Sequence, residues 1–487
     1  MSVVDERAVV ESVPGDLFIG GEWRPATASR TLDVEDPSTA EILASVADAS
    51  PEDAVAALGA ASAIQPRWSA VAPRERSEIL QRAFVAMTER AEDLAVLMTL
   101  EMGKALPESR AEVAYAAEFL RWFSEEAVRI GGDYSVAPDG SGRLLVMHQP
   151  VGPSLLITPW NFPLAMGTRK IGPAVAAGCT VVWKPAQQTP LSALALAEIF
   201  DEAGLPPGVL NVITTTDPGA TVEPLLGDPR LRKLSFTGST AVGRRLLAGA
   251  SDHVLRVSME LGGNAPFLVF DDADLEEALD GAMTAKMRNI GEACTAANRF
   301  LVAQSIADEF TERLAERMSS LRVGRGVEEG VDLGPLVEDR ARDKVHGLVT
   351  DALEHGARAV IGGAHIEGPG YFYEPTVLAE VPTSADMFHE EIFGPVAPVT
   401  TFAGEEEAVE QANDTEYGLV SYVFTRDVKR ALRVSEALET GMVGLNQGMV
   451  SNPAAPFGGV KESGLGREGG TAGILEFLET KYVAVNL

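Results

Sequence analysis

The spacing of apolar residues divides the chain before any chemistry is considered. Residues 1–50 read as short strands and turns, with Asp16-Leu17-Phe18-Ile19 leading into Gly20-Gly21-Glu22-Trp23 and a further turn at Asp36-Pro37-Ser38-Thr39. From Pro51 to about Ile130 the apolar positions fall at helical intervals, as in Ile79, Leu80, Phe84 and Met87, which predicts a layer of helices. Asp133 to Pro150 changes character. A Pro138-Asp139-Gly140 turn precedes Arg143-Leu144-Leu145-Val146-Met147-His148, the pattern of a projecting hairpin.

Between residues 151 and 270 strand and helix alternate. Ser154-Leu155-Leu156-Ile157, Thr180-Val181-Val182-Trp183, Val209 to Ile213 and Lys233 to Phe236 read as strands, with helical stretches such as Leu191 to Ala203 between them. A second alternating block runs from Ala265 to about Pro456, with strand-like runs at Phe300 to Ala303, Ala359 to Ile361, Val396 to Val399 and Val420 to Phe424. Strands separated by helices of roughly ten residues indicate βαβ units. The expected fold class is therefore α/β, with two parallel-sheet domains. Met259-Glu260-Leu261-Gly262-Gly263 is the expected hinge, because its Gly pair joins one block to the next.

Composition narrows the function. A chain of 487 residues exceeds one hydrophobic core. A formal charge of −31 argues against nucleic acid or an anionic membrane as partner, so an anionic substrate or cofactor needs dedicated Arg or Lys residues. The six histidines are scattered without HExxH spacing, and there is no CxxC, so no metal is expected. Two cysteines fit a reducing cytosol, and no basic leader or long apolar run occurs, which predicts a cytoplasmic protein without a membrane span.

Those two cysteines differ in setting. Cys179 lies in Ala176-Ala177-Gly178-Cys179-Thr180-Val181-Val182-Trp183, the start of a buried strand, and is assigned to the core. Cys294, in Gly291-Glu292-Ala293-Cys294-Thr295-Ala296-Ala297-Asn298-Arg299, has small neighbours and a preceding Gly, which leave a thiol open to a substrate. A lone cysteine is more often core than nucleophile, so the rest of the chain has to decide.

Several segments bear on that decision. Lys184-Pro185-Ala186 follows a strand directly, where nucleotides bind in open α/β sheets. Phe236-Thr237-Gly238-Ser239-Thr240-Ala241-Val242-Gly243 follows a strand and opens a helix. Gly238 permits close backbone approach, and Ser239 either caps the helix or donates to a phosphate. Glu391-Ile392-Phe393-Gly394-Pro395 offers a carboxylate for ribose hydroxyls, and Pro159-Trp160-Asn161-Phe162-Pro163 locks an amide donor in a short loop. The one formal GxGxxG, Gly464 to Gly469, has too little chain after it for a βαβ unit and reads as a decoy.

Taken in order, these segments, with Glu260-Leu261-Gly262-Gly263 and Pro456-Phe457-Gly458-Gly459, resemble the aldehyde dehydrogenase superfamily over nearly the whole chain. The resemblance implies a Rossmann-like cofactor domain (1–134 and 157–263), a catalytic domain (264–468) and a β oligomerisation arm (135–156 and 469–487) of a homodimer or homotetramer. It implies Cys294 as nucleophile, Asn161 with the Cys294 amide as oxyanion hole, and Glu260 as general base, the carboxylate that CoA-acylating relatives typically lack. Trp160, Lys184, Gln187, Gly238, Ser239, Gly243, Glu391 and Phe393 fall on cofactor-contacting positions, and Glu479 on a proton-relay position of some members.

Met166 to Lys170, Lys286 to Asn289 and Met449 to Asn452 are most similar to the bacterial succinate-semialdehyde dehydrogenases, which implies that Arg169, Arg288 and Ser451 clamp a distal carboxylate. Succinate semialdehyde, or its homologue glutarate semialdehyde, is then the expected small-molecule substrate, with a general aliphatic or aromatic aldehyde as the alternative. The chain departs from the pattern at three places. Glu292 replaces the usual Gln and is expected to add a negative charge near the thiol. Ala296 replaces the second cysteine of close relatives, which removes a vicinal disulfide switch. Gln187 replaces a Glu that would repel a ribose 2′-phosphate, so NADP is preferred, with NAD as the alternative.

Overall fold

The computed structural model describes residues 5–486. Residues 1–4 and 487, included above in the cofactor unit and the arm, lie outside the described residues. The fold class is α/β, built on two large sheets.

The helical layer begins where its sequence signals say it must. Pro51–Ser69 opens with a capping box, in which Ser50 and Asp53 exchange side-chain and backbone hydrogen bonds, and Pro51 occupies the first turn. Pro73–Glu89, Ala91–Met102 and Leu106–Ala127 follow and pack on the first sheet's own helices.

That first sheet has eight strands. Its parallel centre runs Arg256–Glu260, Lys233–Thr237, Ser154–Ile157, Val181–Lys184, Leu210–Val212, with antiparallel Gly464–Leu465 on one flank and the hairpin Leu17–Ile19 and Glu22–Arg24 on the other. The middle strands are buried along their whole length, as strands covered by helices on both faces must be. Ser154–Ile157, expected to lie mostly within the arm, belongs to this sheet instead: its four residues are fully buried and pair on both sides. From that strand the chain builds outward in one direction and then in the other. The order therefore reverses between Ser154–Ile157 and Lys233–Thr237, and ligand crevices in open α/β sheets open at the carboxyl ends of such a switch point.

The second sheet has seven strands, parallel except for the edge strand Arg358–Ile361. A third sheet forms the arm. Arg143–Pro150 lies between Asp133–Val136 and the C-terminal strand Leu478–Val485, antiparallel to both. Tyr134, Val136 and Tyr482 are 67%, 53% and 57% exposed there, an apolar edge of the kind that folded proteins usually cover. Among the described residues no helix is long and apolar enough to cross a membrane, and no cluster of His, Cys, Asp and Glu could hold a metal ion.

Candidate active site

Two loops from different sheets meet at the switch point. Loop 158–162 leaves strand Ser154–Ile157 and enters helix Pro163–Ala177, carrying Trp160 and Asn161. Loop 292–296 leaves the 3₁₀ turn Arg288–Gly291 and enters strand Ala297–Ala303, carrying Cys294. The sheets can approach this closely because of the Gly pair: a Cβ on Gly263 would collide with the Cys294 carbonyl oxygen.

Cys294, Asn161, Arg169, Arg288 and Ser451 line one cavity of about 620 Å³. Phe162, Phe457 and Tyr115 give it aromatic walls. The Asn161 amide donates one hydrogen to the Glu292 carbonyl at 2.9 Å and keeps a second for the cavity. The two arginines are not equivalent. Arg169 is 1% exposed, stacks 4.0 Å from the Phe457 ring centroid and gives its Nε to Glu468; its Nη2 has no partner among the described residues. Arg288 lies 4.7 Å from the Phe162 ring centroid, and among the described residues no carboxylate pairs with it. A negatively charged substrate therefore meets Arg288 as an uncommitted cation and Arg169 as one already half neutralised.

Trp160, Gly238, Ser239, Glu391 and Phe393 line the same cavity, and the Trp160 and Phe393 rings meet edge-on at 5.5 Å. Glu391 accepts from the Gly263 amide at 3.1 Å, and burial pushes its carboxyl up to about 7. Ser239 caps helix Thr240–Ser251, accepting from the Val242 amide. A second cavity of about 1000 Å³ adjoins through Pro159, Thr237 and Gly238, and contains Lys184 and Gln187. Burial brings the Lys184 ammonium down to about 8, and its Nζ has no side-chain anion among the described residues. An arriving phosphate would hold that charge and raise the pKa again. Gly243 does not line either cavity. It is a packing glycine, where a Cβ would strike the Leu261 side chain.

Glu260 ends strand Arg256–Glu260, 3% exposed, behind the cavity wall rather than on it. A Cβ on Gly458 would lie 2.9 Å from its Oε1. Burial first, and then the Glu468 carboxylate, raise its pKa well above the usual carboxylate range, while Arg169 and Lys170 oppose the rise. Burial alone would raise Glu468 too, but Arg169 and Lys170 both bond it and hold it below that range.

Two expectations are corrected here. Glu479 lies on the arm strand with its side chain 54% exposed, 3.3 Å from Arg256, and does not face this site. The carboxylate beside Glu260 is Glu468, inside the Gly464–Gly469 run that reads as a decoy. The Glu292 carboxyl turns to the Val337 amide rather than into the thiol's cavity: it is fully buried, accepts from that amide at 3.3 Å, and burial raises its pKa well above the usual range.

The Cys294 thiol reaches the cavity, yet dense surroundings push its pKa up to about 12; Arg169 and Arg288 pull it down while Glu391 and Glu260 push it up. Tyr115, Lys344 and Glu468 escape the sequence reading because each sits in an ordinary helical or turn context.

The profile of the aldehyde dehydrogenase family matches residues 23–483. A succinate-semialdehyde dehydrogenase of Paenarthrobacter nicotinovorans is 61% identical over 91% of this chain and 99% of its own. The NADP(+)-dependent succinate-semialdehyde dehydrogenase GabD of Escherichia coli (strain K12) is 50% identical over 96% of this chain and 97% of its own. The crystal structure of succinate-semialdehyde dehydrogenase from Burkholderia pseudomallei, 47% identical, superposes with a TM-score of 0.97 over the full length of both chains.

Proposed function

The chain belongs to the aldehyde dehydrogenase family, and from that premise we propose that it oxidises succinate semialdehyde to the dicarboxylic acid while reducing NADP. The observation that carries the substrate is Arg288, an uncommitted cation in the same cavity as Cys294, with Ser451 and the free Nη2 of Arg169 alongside. Glutarate semialdehyde differs by one methylene, worth about 1–3 kcal/mol in an apolar pocket, and is the nearest competitor.

Residues of this chain account for each proton and charge. With burial pushing the thiol up to about 12, little of it is thiolate at neutral pH, so a base is required. Glu260, buried and raised, takes the Cys294 proton through an intervening water. The thiolate adds to the aldehyde carbon, and the oxyanion accepts from the second Asn161 N–H and the Cys294 amide. The bound dinucleotide supplies the acceptor for the hydride that leaves that carbon. Cys294 then carries a thioester; Glu260, having released its first proton to solvent, takes a proton from the water that attacks the thioester and returns it to the departing Cys294 sulfur, which frees the acid and the thiol.

The second cavity fits a dinucleotide: it adjoins the first through shared lining residues, and its buried Lys184 has no anionic partner among the described residues. Gln187 in the same cavity presents no charge to a 2′-phosphate, which supports NADP over NAD. The exposed apolar arm supports a homodimer or homotetramer, and the likeness to the Escherichia coli enzyme supports a cytoplasmic one.

The test is reduced-nicotinamide absorbance with NADP or NAD, comparing succinate semialdehyde with uncharged butyraldehyde. NADP with the carboxylated aldehyde should give the highest kcat/KM. Equal rates with butyraldehyde would make this a general aldehyde oxidiser.

A further inference from the structure

The backbone just before the nucleophile adopts an unusual conformation. Asn289 (φ 56°, ψ 40°), Ile290 (φ 61°, ψ 17°) and Gly291 (φ 75°) are consecutive left-handed residues. Asn tolerates that region and Gly prefers it, but a β-branched Ile does not. Such strain persists only where the surroundings impose it, and it marks sites where geometry is being enforced.

The enforcing contacts converge on Asn289, which is 1% exposed. Its backbone amide donates to Glu108 Oε1 at 2.7 Å. Its side-chain amide donates to two carbonyls, Asn161 at 3.1 Å and Glu292 at 2.9 Å. Those carbonyls belong to the two loops that carry the reacting groups, one from each large sheet. The Glu292 carbonyl is also the acceptor of the Asn161 side-chain amide, and the Asn161 carbonyl also accepts from Lys104 Nζ at 2.8 Å. Lys104, fully buried, pairs with Glu112, whose other oxygen accepts from the Leu164 and Ala165 amides at the start of helix Pro163–Ala177. Lys104, Glu112 and Asn289 are absent from the cavity wall, so none of them meets substrate there.

We infer that Asn289 is a positioning residue: its amide ties the oxyanion loop to the nucleophile loop, and the buried Lys104–Glu112 pair anchors the oxyanion side. The two reacting loops come from separate sheets, and their relative placement needs a fixed link between them. An amide with one hydrogen for each carbonyl supplies it, and because both acceptors are backbone groups, it fixes the loops rather than their side chains. The inference rests on the functional reading above, and it concerns the addition step, where misplacement by about 1 Å can cost two orders of magnitude.

Two substitutions isolate the amide. Asn289→Gly keeps the left-handed backbone and removes the donors; Asn289→Asp keeps the shape but turns an acceptor toward both carbonyls. Each is measured in the full-length enzyme, alone and combined with Asn161→Ala. Expected for Asn289→Gly is a kcat about 100-fold lower with KM nearly unchanged, as for loss of one oxyanion donor. In the Asn161→Ala background the same change should cost less, because one of the groups that the linked loops position is gone. An equal cost in both backgrounds, or a raised KM with unchanged kcat, would reduce Asn289 to a structural residue and overturn the inference. If Asn289→Gly does not fold, Asn289→Asp decides by the same criteria.

A readout independent of turnover separates this from failure of the functional reading. Alkylation of Cys294 by iodoacetamide should accelerate severalfold in Asn289→Gly as the loop loosens. Wild-type turnover with an unaffected variant overturns the clamp alone. If the wild type shows no aldehyde-dependent NADP reduction, the functional reading falls, and an unchanged alkylation rate then overturns the clamp as well.

Discussion

The chain holds two thiols that share a chemical state but not a position. Burial raises the pKa of both Cys179 and Cys294. Cys179 follows Gly178, the left-handed cap of helix Pro163–Ala177; it is 0% exposed, gives its S–H to the Phe477 carbonyl at 3.3 Å and belongs to the largest apolar core. Cys294 opens onto a cavity shared with two arginines and an amide, with a raised carboxylate behind the wall. Resting acidity therefore does not distinguish a nucleophile from a core residue. What distinguishes them is whether a substrate can arrive, and whether groups are placed to take the proton and hold the charge that follows.

The sharpest way to break that contrast is to remove each thiol. Cys294→Ser should lower kcat by about 10⁴ or more, because a hydroxyl there lacks both acidity and a partner base in contact. Cys179→Ser should leave kcat within about twofold while lowering the melting temperature, since it buries a hydroxyl among apolar neighbours. Comparable losses of kcat in both variants would mean that position is not what separates them.

The next largest effect tests the carboxylate. Glu260→Gln should slow turnover by about 10²–10⁴ through thioester hydrolysis. A burst of reduced dinucleotide near one equivalent, followed by a slow steady rate, is the signature. In the wild type Glu260 must be ionised to act. Its pKa is raised, so kcat/KM should climb with pH through a range well above that of an ordinary carboxylate, and not plateau near pH 5. A plateau there would assign the base elsewhere.

The arginines give a smaller and more selective effect. Arg288→Gln should reduce kcat/KM for succinate semialdehyde by about 10- to 100-fold, the worth of one charge-assisted contact, and leave butyraldehyde nearly untouched. Arg169→Gln should harm both aldehydes and the fold, because it strands Glu468 without one of its two buried cations.

These cases also mark what the chain discloses by itself. Strand ends and the loops after them follow from local periodicity, which is why 158–162, Lys184 and Gly238 fall at the switch point. Long-range destinations of charged side chains do not. Glu108 and Glu112 look like the solvated face of helix Leu106–Ala127, yet one holds the Asn289 amide and the other holds Lys104. Glu468 reaches Arg169 across 299 positions, and no spacing rule links them. Glu479, only 11 residues later, is carried away because the intervening chain turns through helix Gly470–Leu475 into the arm.

The smallest expected effect concerns Glu292, next-but-one to the nucleophile and unlike it in having no role for its charge. Burial outweighs the Val337 bond and the charge of Lys104 and raises its carboxyl well above the usual range in the folded protein, whereas in the unfolded chain it ionises near pH 4.3, about the value of a free Glu. The folded state therefore holds a proton that the unfolded state releases, and stability falls as pH rises from that value towards the raised native one. Gln is nearly isosteric and has no proton to retain. Glu292→Gln should accordingly match the wild-type melting temperature near pH 4 and exceed it progressively towards pH 8. A difference that does not grow with pH would show that Glu292 is ionised in place, and the thiol would then have the negative neighbour that its sequence context first suggested.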